Sequence, residues 1–226
     1  MILLPLVSRL VRALMIWVVL MALMLSAWGW NRLAGFGTEW PRLLLPLVWL
    51  IFSLYGAWRN TQTSSSRGKN EVRSHRRIFL LLLPVFVLWF FYLPYSDRGH
   101  DTVFSSTLLR WVGLFFFAIA LLLRIEAIRV QGKQFSCAVT IQDGHRLALR
   151  GPYRWIRHPA YLGVIGMFCG LSWVFARFEL GLLMALLVWL WMESRIRDEE
   201  KLLLEEFGRD YARYRMKTAK LVPFVY

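Results

Sequence analysis

The sequence contains little cysteine and few acidic residues. Its 226 residues include two cysteines, Cys137 and Cys169, which are too few and too isolated to form a disulfide framework or a metal site. The chain also lacks a Ser-His-Asp arrangement, a Cys/His metal-binding spacing and a phosphate-binding glycine loop. Hydrolysis, zinc chemistry and the use of nucleoside triphosphates are therefore without support.

Acidic residues number 14 against 28 lysines and arginines, which gives a formal charge of +14. Such a charge is compatible with nucleic-acid binding, but no recognition motif accompanies it. The basic residues instead lie in clusters between hydrophobic runs, which is the pattern that orients membrane proteins. We therefore expect membrane lipids among the partners of the chain, and neither nucleic acid nor an obligate protein partner.

Hydrophobic residues make up 58% of the chain and aromatic residues 16%. A soluble domain of this size is roughly half apolar, and a spanning helix needs about 20 residues. The apolar runs cover approximately residues 13–28, 43–58, 78–95, 107–127, 160–176 and 180–192. The sequence predicts an all-α polytopic transmembrane bundle of six spans, or of five spans with a re-entrant hairpin, because the sixth run is short.

The loops between these runs differ in charge. Basic residues are abundant in residues 59–77 and again in residues 124–157, whereas residues 96–106 have no basic excess. By the positive-inside rule, the first two segments and both termini are cytoplasmic. Arg110 and Arg124 bound the apolar part of the fourth run, and we expect them to snorkel to the two membrane interfaces.

Two further elements are predicted in the C-terminal region. Asp143-Gly144 lies between the apolar stretches Val139–Ile141 and Leu147–Leu149, which predicts a small interfacial hairpin. After the sixth run the chain continues without a helix breaker, and apolar residues recur at helical spacing. This pattern predicts a cytoplasmic amphipathic helix that ends or bends at Gly208.

The stretch from Gly151 to Gly163 places two arginines, an imidazole and two phenols at the entrance to the fifth run. A proline that follows His158 is typical of the first turn of a helix, so His158 is predicted near the N-cap, beside Arg157. Free backbone N–H groups and the helix dipole at such a terminus favour an anionic ligand group. The sequence therefore predicts a binding site here.

Two adjacent glutamates in the amphipathic helix form the second candidate. Glu200 shares an apolar stripe with Ile196 and Leu203, where a carboxylate is costly unless it is paired or functional. Two interpretations are open. Glu200 is either the structural partner of an arginine in the preceding loop or, with Glu199, a site for hydroxyl or ammonium groups opposite the predicted anion site.

Other conspicuous residues of this region have structural interpretations. Glu193 with Arg197, and Lys201 with Glu205, have the spacing of ordinary ion pairs on a solvated helix face. Small residues on one face of a helix allow close approach of a neighbouring helix. Residues of this kind in the fifth run are Gly163, Gly166 and Gly170.

The motifs of the C-terminal half form an ordered set. They are Gly151-Pro-Tyr153, Arg157-His158-Pro159 with Tyr161 and Gly163, then Glu199-Glu200, and Phe207-Gly208 with Tyr211 and Tyr214. This set, over approximately residues 130–226, resembles the isoprenylcysteine carboxyl methyltransferase family and its phospholipid N-methyltransferase relatives. The first half matches only in being transmembrane. We therefore expect a transmembrane region on the acceptor side, residues 1–128, and a cofactor-binding catalytic region, residues 129–226.

The resemblance implies an integral-membrane methyltransferase that uses S-adenosylmethionine and no metal. Its acceptor would be a lipophilic small molecule or a lipidated one that enters from the bilayer, and its active site would be cytoplasmic. The implied catalytic residues are Arg157, His158 and Glu200. The implied cofactor-binding residues are Tyr153, Arg157, His158, Pro159, Tyr161, Gly163, Glu199, Glu200, Tyr211 and Tyr214.

The residues leave the acceptor open. A carboxylate is already ionised at neutral pH, so its methylation needs no base. An amine or a thiol needs one, and His158 or a glutamate would then serve. Phospholipid N-methylation and small-thiol S-methylation are therefore alternatives to isoprenylcysteine O-methylation. A sterol-type NADPH-dependent membrane reductase and a non-enzymatic transporter or structural membrane protein are alternatives of other classes.

Overall fold

The computed structural model describes residues 3–59, 74–98, 106–135 and 146–222, and its regular elements there are helical. The α-helices are α1 (Leu3–Trp28), α2 (Leu33–Phe36), α3 (Trp40–Arg59), α4 (Ser74–Asp97), α5 (Thr107–Gln131), α6 (Pro159–Val174) and α7 (Phe178–Lys217). The predicted all-α class is confirmed.

Four of these helices are long and apolar enough to cross a membrane by length and composition. They contain the spans Leu6–Trp28, Trp40–Trp58, Ile78–Asp97 and Thr107–Gln131. The chain is thus a polytopic integral membrane protein. The next apolar helix, α6, has only 16 residues, and α7 combines an apolar first part with a charged second part. A total of six spans stays a prediction.

Helix α6 packs directly against the backbone of α5. A Cβ atom added at Gly163 would lie 2.7 Å from the Ala120 carbonyl oxygen, and one at Gly170 would lie 2.6 Å from Phe117 N. No side chain fits at such distances, so the glycines are what permits this approach. The predicted close packing is confirmed, and it fixes the start of α6 relative to α5.

Helices α6 and α7 form an antiparallel hairpin with a tight turn, in which Ala176 has a left-handed φ of 53°. Helix α7 then runs through the charged region as a single element, interrupted at Gly208 with φ 48° and ψ −117°. The predicted bend at Gly208 is confirmed. Because α7 returns along α6, it brings its glutamates back to the level at which α6 begins.

The prediction that Arg110 snorkels is wrong. Arg110 is 3% exposed and donates to both carboxylate oxygens of Asp97 at 2.7 Å and to the Val174 carbonyl at 2.9 Å. Arg42 lies 2.9 Å from the same carboxylate. Asp97, at the end of α4, thus neutralises guanidinium charge inside the protein. Arg124 donates to the Ala160 carbonyl at 3.1 Å and so links α5 to the start of α6.

The predicted interfacial hairpin lies largely on residues 136–145, outside the described part of the chain. Residues 146–149, which include its second arm Leu147–Leu149, are described and have no regular secondary structure. Most of the basic segment 59–77 also lies outside the described residues.

Candidate active site

The first half of the site is the start of α6. His158 is the N-cap residue and Pro159 occupies the first helical turn, as predicted. The His158 carbonyl accepts hydrogen bonds from the backbone N–H groups of Tyr161 and Leu162, at 3.1 and 3.2 Å. A short 3₁₀ turn, Gly151–Arg154, precedes it. His158 is only 4% exposed, so the imidazole is held inside the protein.

The second half of the site is the face of α7 that carries Glu200. Its Oε1 accepts from Arg157 Nε at 2.8 Å and lies 3.2 Å from His158 Nε2. Burial by itself would raise the pKa of this carboxyl, but the hydrogen bonds with His158 and Arg157 outweigh burial and lower the pKa to about 2. Glu200 is therefore ionised at neutral pH and paired with an arginine of the preceding loop.

Glu199 contacts the same imidazole from the other side. Its Oε2 accepts from the Tyr161 hydroxyl at 2.7 Å and lies 3.8 Å from His158 Nδ1. The His158 and Tyr161 rings are stacked, with centroids 5.7 Å apart. The Glu199 side chain is 26% exposed against 10% for Glu200. His158 thus lies between two carboxylates, of which Glu199 is the more accessible.

The aromatic residues at the far end of α7 complete the wall of the site. The Tyr214 hydroxyl donates to the Tyr153 backbone carbonyl at 2.8 Å, and burial raises the pKa of Tyr214 to about 12. Tyr211 is 1% exposed, and its hydroxyl has no hydrogen-bond partner among the described residues. Burial, reinforced by the charge of Glu200, raises the pKa of Tyr211. Both phenols are neutral hydrogen-bond donors at neutral pH.

The structure thus joins Arg157, His158, Tyr161, Glu199 and Glu200 in one cluster, next to Tyr211 and Tyr214. It places the other three predicted residues differently. Tyr153 packs with Ala127 and Ala160. Pro159 starts α6, and Gly163 lies in the α5–α6 packing interface.

A segment that the sequence analysis missed closes the cluster. We call residues 218–222 the C-terminal strap. The Thr218 carbonyl accepts from Arg157 Nη1, as does the Arg215 carbonyl at 3.1 Å. Backbone bonds then link the strap to residues 155–158 as an isolated parallel bridge. Its sequence, Thr-Ala-Lys-Leu-Val, has no periodicity or motif from which this role is readable.

Arg195 was also missed. Its guanidinium lies 5.7 Å from the centre of the Tyr161 ring. The readable signal is its position one helical turn before Glu199, which puts both side chains on one face of α7.

An apolar cavity of about 310 Å³ lies deeper in the bundle, between α1, α3, α4, α5 and α6. Its α6 lining is Met167, Phe168 and Leu171. At 1.5 Å per residue, these lie roughly 9–15 Å beyond Tyr161 along the helix. The cavity is therefore distinct from the polar cluster.

Residues 111–205, which contain the cluster of Arg157, His158, Tyr161, Glu199 and Glu200, match the model of the isoprenylcysteine carboxyl methyltransferase (ICMT) family. The match covers less than half of the chain and shows its similarity to that family. A probable protein-S-isoprenylcysteine O-methyltransferase of Oryza sativa subsp. indica is 31% identical over 117 residues, or 51% of this chain and 61% of the rice protein.

The Schizosaccharomyces pombe enzyme of the same name is 32% identical over 112 residues, covering 49% of this chain and 48% of the yeast protein. The human enzyme is 31% identical over 121 residues, covering 53% and 43%. The chain thus spans about half the length of these ICMT relatives, and the resemblance read from the motifs is confirmed for the C-terminal half.

The solved structure of the eukaryotic intramembrane Ras methyltransferase ICMT shares the fold. The match has a TM-score of 0.60 at 20% identity and covers 92% of this chain and 73% of that one. It extends well beyond the family region, so the N-terminal helices are part of the shared architecture.

Proposed function

We propose that this chain is an integral-membrane methyltransferase that transfers the methyl group of S-adenosylmethionine to a lipophilic acceptor, as the names of its relatives suggest. One observation carries the proposal. The α6–α7 hairpin assembles Arg157, His158, Tyr161, Glu199 and Glu200 into one polar cluster at the start of α6.

The donors and acceptors of the cluster fit a zwitterionic cofactor. The ammonium and ribose hydroxyls need acceptors, and the accessible Glu199 carboxylate offers one. The cofactor also presents acceptor atoms, and the buried Tyr211 hydroxyl is a donor that no described residue satisfies. When bound, S-adenosylmethionine supplies an electrophilic methyl group on its sulfonium.

The low pKa of Glu200 assigns it an electrostatic role. A carboxylate whose pKa is about 2 is a weak base at neutral pH, whereas a general base works best with a pKa near the operating pH. Glu200 therefore holds Arg157 and His158 in place and does not remove a proton from the acceptor. This role is compatible with a carboxylate acceptor, which needs no base, whereas an amine or a thiol would require His158 or Glu199 in its place.

The apolar cavity supports a lipophilic acceptor. Its lining is aliphatic and aromatic, and it lies on the membrane side of the cluster. A chain bound there, with its carboxylate at Tyr161 and Arg195, would have its reactive end aligned with the cofactor site. Catalysis would then rest on alignment and on exclusion of water. An isoprenylated cysteine combines such an apolar chain with a carboxylate.

The same features count against the two other classes. The accessible Glu199 carboxylate would repel the phosphates of NADPH, whereas Glu200 is already paired with Arg157. The buried pair of Arg110 and Asp97 lies at the ends of α5 and α4, whereas a transport pathway would place ionisable residues in mid-membrane. The basic segments 59–77 and 124–157 support a cytoplasmic position of the active site and both termini.

The test is binding of S-adenosylmethionine and of NADPH to the detergent-purified protein by calorimetry. We expect micromolar binding of the first and none of the second. His158→Ala and Glu200→Gln should weaken binding at least tenfold, whereas the exposed Glu205→Gln on the same helix should not. Absence of S-adenosylmethionine binding, or equal affinity in all variants, would refute the proposal.

The acceptor is tested separately by transfer of a labelled methyl group. An S-isoprenylated cysteine with a free carboxylate should be methylated, and its amide should not. Preferential labelling of phosphatidylethanolamine or of a small thiol would overturn the carboxylate assignment while leaving the cofactor assignment intact.

A further inference from the structure

The C-terminal strap fixes the backbone of Arg157 and His158 at the centre of the site. The Ala219 carbonyl accepts from Arg157 N at 2.9 Å, and the Lys220 carbonyl accepts from His158 N at 3.1 Å. Ala219 N in turn donates to the Trp155 carbonyl at 2.9 Å. The backbone N–H groups of Arg157 and His158 thus have their hydrogen-bond acceptors in the strap. The position of the strap therefore fixes the position of these two residues.

An ion pair holds the strap against α7. Lys220 Nζ donates to Glu193 Oε1 at 3.0 Å, and the two side chains are only 19% and 8% exposed. Glu193 precedes Glu200 by about two helical turns, so both carboxylates lie on the same face of α7. Glu200 contacts Arg157 and His158 directly, and Glu193 contacts the segment that holds their backbone.

The interpretation of Glu193 as a solvated ion-pair residue is therefore wrong in part. Its pair with Arg197 exists at 3.0 Å, but Glu193 itself is 6% exposed. The Arg197 side chain is 75% exposed, and pairs of this kind contribute little. A buried carboxylate is costly unless it is well paired. Of the two partners of Glu193, Lys220 is less exposed than Arg197.

We propose that Glu193 and Lys220 are positioning residues. Their ion pair holds the strap in register beside Arg157 and His158, and through this register it sets the affinity of the site for the methyl donor. The part that concerns affinity rests on the proposed function above. The pair acts at a distance from the reacting atoms, so its effect passes through the strap.

The experiment compares Glu193→Gln, Lys220→Met and the double variant with the wild type. S-adenosylmethionine affinity and amide hydrogen exchange of the peptide that contains residues 155–160 are measured. Each single variant should weaken affinity about tenfold, the loss of one charge-assisted hydrogen bond. Exchange of the peptide should accelerate. The double variant should bind S-adenosylmethionine no more weakly than the weaker-binding single variant, because both substitutions remove the same contact.

Two matched variants complete the design. Lys220→Arg keeps the charge and should restore affinity to within about threefold, whereas Arg197→Gln, which removes the exposed partner of Glu193, should leave affinity and exchange unchanged. The inference would be overturned if the affinity losses of the two single variants multiplied in the double variant. It would also be overturned if amide hydrogen exchange of the 155–160 peptide were unchanged in Lys220→Met. If the wild type binds no S-adenosylmethionine, the proposed function fails, and the exchange data still decide whether the pair positions residues 157 and 158.

Discussion

Replacing Glu200 with glutamine tests the centre of the site because it keeps the shape and removes the charge. The pKa of Glu200 falls from an ordinary 4.5 to about 2, which corresponds to at most about 3 kcal/mol of stabilisation of the folded state. Arg215, which lies 3.9 Å from Glu200 Oε2, is half exposed. Solvent that reaches Arg215 therefore screens part of the Glu200 carboxylate, and we expect a net loss of about 1–2 kcal/mol.

For a chain of this length, such a loss lowers the thermal midpoint by about 2–8 °C. The measurement is thermal unfolding in detergent, followed by intrinsic tryptophan fluorescence. Glu205→Gln on the exposed face of the same helix is the control, and it should change the midpoint by less than about 2 °C. Equal midpoints for the two variants would refute the assignment of Glu200 as the ionic partner of Arg157 and His158.

The same variant makes a pH prediction whose sign follows from the lowered pKa. A carboxylate with a depressed pKa stabilises the folded state fully above its unfolded pKa of 4.5, and this contribution is lost as the pH falls towards 2. The midpoint difference between wild type and Glu200→Gln should therefore be complete at pH 7 and pH 5.5 and smaller at pH 3.5. A difference as large at pH 3.5 as at pH 7 would show that the ionised carboxylate is not its source.

Two further variants test the packing that positions the site. Gly170→Leu should destabilise the protein by about 1–3 kcal/mol, because its Cβ would lie 2.6 Å from Phe117 N. Gly35→Ala is the control and should be nearly neutral, because its Cβ would lie 3.8 Å from Trp28. The thermal midpoints of the two variants are compared. Asp97→Asn should cost about 3–5 kcal/mol, since it leaves the buried Arg42 and Arg110 without a carboxylate. The exposed Arg12→Gln is its control, and a midpoint for Asp97→Asn equal to that of this control would contradict the role of the buried pair.

Much of the fold was predictable because it depends on local patterns. Apolar runs longer than a soluble helix requires identify the spans, and Pro159 identifies the start of α6. Gly163 and Gly170 identify the packed face of α6 through their spacing alone. The charges of the loops predict which side of the membrane each loop occupies. That orientation stays a prediction.

The sequence was sufficient to predict which residues form the site. It was not sufficient to predict the contacts between them. The Arg-His-Pro motif and the Glu-Glu pair are recognisable in sequence, and the short link between α6 and α7 makes their meeting geometrically reasonable. Local sequence patterns do not show which oxygen of Glu199 or Glu200 accepts from which donor. Glu200 satisfies both earlier interpretations at once, since it pairs with Arg157 and also occupies the centre of the proposed site.

The sequence by itself determined that this chain is a helical membrane protein with a family-type motif at the start of α6, because periodicity and helix-terminal chemistry are properties of neighbouring residues. Only the tertiary structure decided where Arg110 and Glu193 lie, because the sequence pattern alone places Arg110 at a membrane interface and Glu193 on a solvated helix face. Their partners, Asp97 and Lys220, come from other segments of the chain. Burial of a charge depends on whether such a distant partner arrives, and helical spacing carries no information about that.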